Sequence, residues 1–325
     1  MFVKPNSASV RLTGRWHMTE SGAAETTAPG SFLELAFTGS MAVLHFDMTT
    51  NRQPYGHLWI SVDGGARVEV PLDWYLRLSA QDDGPHVATV IYKSAVEIHH
   101  RWYAPLEGKV TFRGFEADGE GVLPEDTRKT VEFVGDSITE GVLVDASYTP
   151  EAYGPWNRPW QDDAAATYAW LTAENLNLRP FIMGYGAVGI TKSGQAAVPK
   201  VEESYPYCYA NAPYAGAHAD YIVINHGAND SRAATEDYVR GYLRLLDLIR
   251  SRNPQARIIA LSAFCGNHAK GLGEAIANYN AEKNENIYFI DSTGWVPKEP
   301  LHPLREGHKI IARHLTEALG RIIGG

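Results

Sequence analysis

The stretch Val131-Glu132-Phe133-Val134-Gly135-Asp136-Ser137-Ile138 decides the fold of this chain. Its first four residues are mostly apolar and predict a buried strand, and the glycine that follows them predicts a turn. Ser137 is therefore predicted to lie just beyond the carboxyl end of a strand. In open α/β sheets this is the edge at which ligands bind. The stretch thus predicts both an α/β sheet and a candidate reactive side chain.

The segments after this stretch alternate between strand-like and helix-like patterns. Apolar runs at 131–134, 181–183, 221–225, 258–261 and 287–290 predict five strands. The clearest helix begins near Thr235, which we predict as its N-cap, and ends at Asn253-Pro254. One face of it carries Val239, Tyr242, Leu243, Leu246 and Ile249. Such alternation predicts a parallel sheet with helices on both faces, so all the carboxyl strand ends share one edge.

The chain before this region has a different periodicity. From about residue 10 to residue 116 the apolar residues alternate with period two and predict many short strands, hence a β-sandwich or jelly roll. Thr38-Gly39-Ser40 and Asp63-Gly64-Gly65 are predicted as turns between strands. A polar segment at 117–126 then breaks the pattern. We therefore predict a β-sandwich domain over 1–125 and an α/β domain over 126–325.

Composition and charge limit the classes of function. The hydrophobic fraction of 44% and the charged fraction of 21% are those of an ordinary globular protein. A formal net charge of -9 argues against nucleic acid as a partner. No segment is apolar enough to predict a membrane span, and 1–6 lacks a secretory signal pattern. Cys208 and Cys265 predict buried thiols and not a disulfide scaffold. A cytoplasmic protein is expected, or a secreted one if a signal peptide was removed.

Three blocks after strands carry residue types suited to hydrolysis. They are Gly135-Asp136-Ser137, Gly227-Ala228-Asn229-Asp230, and His302-Pro303 followed by Gly307-His308. In this order and context the chain resembles the SGNH (GDSL-type) serine hydrolases. That resemblance implies a flavodoxin-like three-layer α/β/α domain. With a β-sandwich in front of it, the chain resembles the two-domain acetyl esterases of carbohydrate esterase family 2.

The resemblance implies a role for each block. Ser137 is the expected nucleophile, because a serine hydroxyl at a strand-to-helix turn can be activated by a base and lies near a helix N-terminus. His302 is the expected base, held at the entrance of a helix predicted over 304–323, with Pro303 in the first turn of that helix. Ser137, Asn229 and His302 are expected to converge at the carboxyl edge of the sheet.

Three groups are expected to donate hydrogen bonds to the oxyanion. They are the backbone N–H of Ser137, the backbone N–H of Gly189 and the side-chain amide of Asn229. Gly189 follows the second strand in the loop 184–189, where Gly186 fits the family's glycine block nearly as well. Asp230 is expected to hold its loop by hydrogen bonds. His308 is expected to be structural.

The third member of a triad is the point at which this chain departs from the family. The family usually has an aspartate three residues before the histidine, whereas this chain has Glu299 followed by Pro300. Two alternatives stay open: Glu299 orients His302, or a main-chain carbonyl does so, as in some members of carbohydrate esterase family 2. Glu299 is therefore the candidate acid, and we expect it not to be obligatory.

Ring-rich loops and the resemblance together suggest the substrate. Residues expected to contact a sugar are Trp156, Trp160, Tyr185 and Trp295, and the insertion after Ser137 also carries Tyr148 and Tyr153. The resemblance implies a serine esterase that removes O-acetyl groups from carbohydrates such as acetylated xylo-oligosaccharides. No cofactor and no metal is expected, and His99-His100 is predicted to be a surface pair on a strand.

Alternatives remain open at this level. The same fold serves short-chain lipases, thioesterases and acyltransferases, because a fold alone does not choose the acyl acceptor. A carbohydrate-binding protein with a degenerate site is the alternative from a different class. The expected partner is a small acetylated sugar or oligosaccharide, with no nucleic acid and no membrane, and a homo-oligomer remains open.

Overall fold

A computed structural model of the protein describes residues 1–146, 154–216 and 219–324. The ten strands of the first part are β1 (Phe2–Val3), β2 (Val10–Thr13), β3 (His17–Met18), β4 (Ala24–Thr26), β5 (Phe32–Phe46), β6 (His57–Val62), β7 (Val68–Pro71), β8 (Tyr75–Ser79), β9 (Pro85–Ser94) and β10 (Val110–Glu120). The later strands are β11 (Thr130–Gly135), β12 (Arg179–Gly184), β13 (Tyr207–Tyr209), β14 (Ala212–Pro213), β15 (Tyr221–Asn225), β16 (Arg257–Leu261) and β17 (Tyr288–Ile290). The helices are α1 (Ser137–Glu140), α2 (Arg158–Gln161), α3 (Tyr168–Asn175), α4 (Val201–Ser204), α5 (Thr235–Arg252), α6 (Ala269–Lys283) and α7 (Arg305–Gly324).

The N-terminal strands form an antiparallel network built around the long strand β5. The first half of β5 lies between β2 and β9, whereas its second half lies between β8 and β10. One strand therefore serves two layers, and the apolar side chains between the layers form a core of their own. This arrangement confirms the fold class predicted for the first part of the chain.

The turn predicted at Thr38-Gly39-Ser40 is wrong, because β5 runs through it without a break. Gly39 has φ of 103°, a conformation that residues with a Cβ atom rarely adopt, and Asp118 leaves no room for a side chain there. A glycine can therefore redirect a strand without ending it. The turn predicted at Asp63-Gly64-Gly65 lies where expected, between the antiparallel strands β6 and β7.

The break predicted at residue 117 also falls too early. Strand β10 continues to Glu120, and β11 begins at Thr130. The segment 121–129 joins the antiparallel and parallel parts of the structure. The domain limits 1–125 and 126–325 stay a prediction, with their junction inside this connecting segment.

The second part of the chain is built on a five-stranded parallel sheet. Its strand order is β12-β11-β15-β16-β17, which is the 2-1-3-4-5 order of flavodoxin-like folds. The predicted α/β architecture is thereby confirmed. The order reverses between β11 and β15, so the loops after these two strands diverge and leave a crevice at the carboxyl edge. Ser137 and Asn229 follow β11 and β15 respectively.

The long helices begin and end close to the predicted positions, with one error in capping. Helix α5 buries Tyr242, Leu246 and Ile249, as its sequence period predicts. Thr235 is the first helical residue and not the N-cap, because the N-cap is Ala234 and the Thr235 hydroxyl pairs with His268 instead. A tertiary hydrogen bond thus replaces the local cap.

Buried polar contacts join the antiparallel and parallel parts. The Arg15 guanidinium donates to the Glu132 carboxylate at 2.6 Å, with both side chains almost completely buried. The indole N–H of Trp59 donates to Asp163 at 3.0 Å. Because a buried charge that loses its partner costs several kcal/mol, the Arg15–Glu132 pair restrains how the two parts pack. It also explains an acidic residue in the middle of the apolar strand β11.

Among the helices in the described ranges, none is long and apolar enough to cross a membrane.

Candidate active site

Ser137 lies at the first position of α1, directly after β11 and Asp136. The Asp136 side chain caps this helix by accepting a hydrogen bond from the Ile138 N–H at 3.0 Å. Gly141 ends the helix after a single turn, so the favourable effect of a helix N-terminus on a developing anion is small here. Ser137 is buried, with 6% of its surface exposed. The turn therefore fixes the direction of the serine hydroxyl.

His302 meets Ser137 across 165 residues of sequence. Its Nε2 lies 2.9 Å from the Oγ of Ser137, so the serine hydroxyl can donate to an unprotonated Nε2. Pro303 and Leu304 separate His302 from α7, which begins at Arg305 and not, as predicted, at 304. The histidine thus lies before the helix, in the segment that enters it. This is the geometry that a base needs to take a proton from serine.

Burial sets the protonation of the groups around Ser137. Burial lowers the pKa of His302, the nearby Glu97 carboxylate raises it, and Arg158 lowers it. A depressed pKa keeps the imidazole neutral at neutral pH, which is the form that accepts a proton. Burial raises the pKa of Asp136 to about 7. The dyad therefore lies in a mostly desolvated environment.

Asn229 contacts Asp136, the residue before Ser137, and holds the loops of the site together. Its amide donates to the Asp136 carboxylate at 3.3 Å and to the carbonyl of Val188 at 3.1 Å. Both amide hydrogens are therefore engaged with protein acceptors in this structure. An oxyanion would compete with these acceptors for the amide. The role of Asn229 in an oxyanion hole stays a prediction.

The two backbone donors predicted for the oxyanion differ in availability. Within the described ranges, no oxygen accepts from the backbone N–H of Ser137. The N–H of Gly189 donates to the carbonyl of Lys192 at 3.1 Å. Gly189 as an oxyanion donor therefore requires the 189–192 turn to open, and its position does not support the prediction. A hydrogen bond within a short turn of this kind has no separate signature in the sequence.

Asp230 holds the loop after β12, residues 184–192, which we call the glycine loop. Its carboxylate accepts from the Ile190 N–H at 3.1 Å, the Thr191 N–H at 2.8 Å and the Thr191 hydroxyl at 2.6 Å. His308 is buried in the protein, where its Nδ1 accepts from the Tyr168 N–H at 3.0 Å. Both residues thus make structural hydrogen bonds and do not contact Ser137.

Glu299 lies in an exposed segment. Over the parts of the chain that are described, no hydrogen bond or ion pair joins its carboxylate to His302 or to any other residue. The side chain is therefore not held in the position of a triad acid. Its role in orienting the imidazole stays open to experiment.

Glu299→Gln is expected to lower kcat for acetyl ester hydrolysis by less than about tenfold, because a solvated carboxylate does not fix the imidazole tautomer. If Glu299 did orient His302, the same change could cost up to about 10⁴-fold in kcat. Measurement of kcat for Glu299→Gln and Glu299→Ala, with melting temperatures to confirm folding, checks this prediction. A thousandfold loss in both variants would restore Glu299 as the triad acid.

Sequence reasoning missed a cluster of charges next to the dyad. The carboxylate of Glu97, from the loop after β9, lies 3.2 Å from the guanidinium of Arg158 in α2. Arg158 also pairs with Asp162 at 2.9 Å. In the same loop as Glu97, Arg101 pairs with Glu140 of α1 at 2.5 Å. The only sequence signal is a set of charges in mostly apolar surroundings, and that signal does not say which charges pair.

The four rings predicted to contact a sugar lie in different environments. Trp156 and Trp160 are exposed, and the rings of Trp160 and His57 pack perpendicular to each other with their centres 4.3 Å apart. Trp295 stacks on His314 of α7. Tyr185 is buried, with its hydroxyl hydrogen-bonded to the carbonyl of Cys208 at 3.0 Å, so its position does not support the predicted sugar contact. Tyr148 and Tyr153 lie outside the described residues.

His99 and His100 differ from the predicted surface pair. They lie in a loop, because the strand β9 has already ended at Ser94. His99 is buried there, and His100 is exposed. Burial lowers the pKa of His99 to about 4. In the ranges that the structure covers, no cluster of three or more side chains suited to a metal ion is found.

Comparison with known proteins agrees with this geometry. Residues 133–310, more than half of the chain, match the GDSL-like Lipase/Acylhydrolase family. The cellulase/esterase CelE of Acetivibrio thermocellus is 27% identical over 98% of this chain. The chain spans 40% of the length of that relative.

Solved structures share the whole fold. A family two carbohydrate esterase from Cellvibrio japonicus aligns with a TM-score of 0.81 and 19% identity, over 100% of this chain and 98% of that one. An acetyl xylan esterase from the rumen bacterium Butyrivibrio proteoclasticus aligns with a TM-score of 0.78 and 20% identity, over 100% of this chain and 98% of that one. At these identities the likeness is one of fold.

The matched region contains Ser137, Asn229 and His302, and the structure brings all three to the carboxyl edge of one flavodoxin-like sheet. The chain therefore belongs to the GDSL-like Lipase/Acylhydrolase family.

Proposed function

We propose that this protein is a serine esterase that removes O-acetyl groups from carbohydrates, such as acetylated xylo-oligosaccharides. The observation that carries the proposal is the 2.9 Å contact between the Oγ of Ser137 and the Nε2 of His302 at the carboxyl edge of the sheet. A protein that only binds carbohydrate would have no need for a buried serine hydroxyl held against an imidazole.

The reaction would follow from the positions of these two side chains. The Nε2 of His302 takes the hydroxyl proton as the Oγ of Ser137 attacks the acetyl carbonyl. The backbone N–H of Ser137 and the amide of Asn229 are the candidate donors to the resulting oxyanion. The imidazolium then protonates the departing sugar oxygen. Water, activated by the same imidazole, hydrolyses the acetyl-serine and releases acetate.

Two observations support a carbohydrate as the alcohol part of the ester. The relative CelE and both aligned structures carry names of esterases or carbohydrate esterases. In this chain the rings of Trp156 and Trp160 are exposed, two residues before and two residues after Arg158, which acts on His302 electrostatically. Flat apolar ring faces can stack on the C–H surface of a sugar. Both points support sugar acetates over lipid esters.

Activity is expected to fall steeply when the acyl chain exceeds about four carbons, because an added methylene contributes only about 1 kcal/mol where a pocket exists and is penalised where none does. The measurement is kcat/KM for p-nitrophenyl acetate, butyrate and octanoate, together with acetate release from acetylated xylo-oligosaccharides. Ser137→Ala provides the blank for uncatalysed hydrolysis.

The same assay separates the alternatives. Preference for octanoyl esters would favour a lipase. Turnover that requires an added alcohol or thiol acceptor would favour an acyltransferase. Binding of xylo-oligosaccharides without release of acetate would favour a carbohydrate-binding protein.

A further inference from the structure

The loop after β9 brings a carboxylate of the antiparallel part into the active site of the parallel part. Its Glu97 pairs with Arg158 at 3.2 Å, and the two side chains are only 14% and 8% exposed. Exposed ion pairs contribute little, but a pair removed from water interacts more strongly, because screening by solvent is reduced. Glu97 is therefore placed to act on its surroundings electrostatically.

Glu97 also packs directly on the glycine loop. A Cβ atom on Gly186 would lie 2.1 Å from the Oε1 of Glu97, so only glycine lets the carboxylate approach this closely. Two residues later in the loop, the carbonyl of Val188 accepts from the amide of Asn229. Asn229 in turn donates to Asp136, the residue before Ser137. Three contacts, joined by short stretches of chain, thus connect Glu97 to the nucleophile.

The charges that surround Glu97 come from several elements. They are Glu140 of α1, Arg158 of α2, Asp162 after α2 and His302 before α7, and Arg101 from the same loop as Glu97 pairs with Glu140. Arg158 and Glu97 act on His302 in opposite directions, since the cation disfavours the imidazolium and the carboxylate favours it. Arg101 and Asp162 have closer partners of opposite charge in Glu140 and Arg158.

We propose that Glu97 is a positioning residue supplied to the active site by the β-sandwich. Its carboxylate holds the glycine loop in place at Gly186 and offsets the charge of Arg158 beside the Ser137–His302 pair. The proposal deepens the proposed esterase function and depends on it for the kinetic readout. The imidazolium forms in the transition state, so a neighbouring cation without its counter-charge would oppose catalysis. The β-sandwich would then contribute to chemistry as well as to packing.

Glu97→Gln tests the charge while keeping the shape of the side chain. It is expected to lower the pKa of His302, because a carboxylate that favours the imidazolium is removed. The acid limb of the kcat/KM profile should move to lower pH by the same amount. At its maximum, kcat should fall roughly tenfold with a smaller change in KM, because the imidazolium loses stabilisation in the transition state.

Two further variants serve as controls. Glu97→Asp keeps the charge, so the acid limb should return to near its wild-type position even if the shorter side chain lowers kcat. Glu34→Gln removes a carboxylate of similar exposure, 16%, that lies 3.1 Å from Arg11 in the antiparallel part. That variant should leave the titration of His302 and the kinetics unchanged.

The titration of His302 can be followed by NMR of the imidazole, with His302→Ala to assign its signal. This readout needs no turnover, so it still applies if the wild-type protein fails to hydrolyse acetyl esters and the proposed function is wrong. Arg158→Gln is expected to shift the same pKa upward and covers the case in which Glu97→Gln does not fold. An unchanged His302 titration in either folded variant would overturn the proposal, and a loss of melting temperature alone would make Glu97 a structural brace.

Discussion

Ser137→Ala is expected to lower kcat for acetyl ester hydrolysis by about 10⁴-fold or more, and His302→Ala is expected to do the same. The two side chains share one hydrogen bond of 2.9 Å and act as a unit in proton transfer. Once one of them is gone, the other has no function in the reaction. The double variant should therefore lose little beyond either single variant. Turnover by the purified variants, with melting temperatures, measures both effects.

Ser251→Ala is the matched control for this experiment. Ser251 lies in the last turn of α5, where its hydroxyl donates to the carbonyl of Leu248. That turn is far from the carboxyl edge of the sheet, since a helix that follows a parallel strand runs back toward the opposite edge. Loss of the Ser251 hydroxyl should leave kcat unchanged. Near-wild-type turnover by Ser137→Ala, or fluorophosphonate labelling at another residue, would refute the assignment of the nucleophile.

Asn229→Ala is expected to lower kcat by roughly 10²- to 10³-fold with a smaller effect on KM, as for a donor used mainly in the transition state. In the free protein the amide donates to Asp136 and to the carbonyl of Val188. An oxyanion next to Ser137 would be a stronger acceptor than a neutral carbonyl, because hydrogen bonds to ionised groups are the stronger ones. Steady-state kinetics on p-nitrophenyl acetate gives the comparison.

Asn175→Ala provides the corresponding control. The amide of Asn175 donates to the Thr316 hydroxyl at 3.2 Å, on the outer surface between α3 and α7. This variant removes an amide hydrogen bond of similar length and should not change kcat. An effect of Asn229→Ala on KM alone would assign the residue to substrate binding. A loss of melting temperature with kcat preserved would assign it to holding the loops.

The residues that meet in the active site could be predicted in part because topology determines where strands end. A right-handed crossover after each strand brings every carboxyl end to the same edge, so a residue directly after a buried run has a known position. Ser137 and Asn229 follow such runs, and His302 precedes a helix whose period is clear. Their convergence at this edge thus follows from local patterns combined with one rule of chain topology.

The sequence by itself therefore determined the two architectures, the order of their elements and the candidate dyad, because hydrophobic period and strand-end position are local properties of the chain. Only the tertiary structure decided the continuation of β5 through Gly39, the exposed position of Glu299 and the hydrogen bond that engages the N–H of Gly189. It alone brought Glu97 to Arg158 across 61 residues. Pairing between side chains depends on their reach, burial and competing partners in the folded chain, and no periodic pattern in the sequence encodes these.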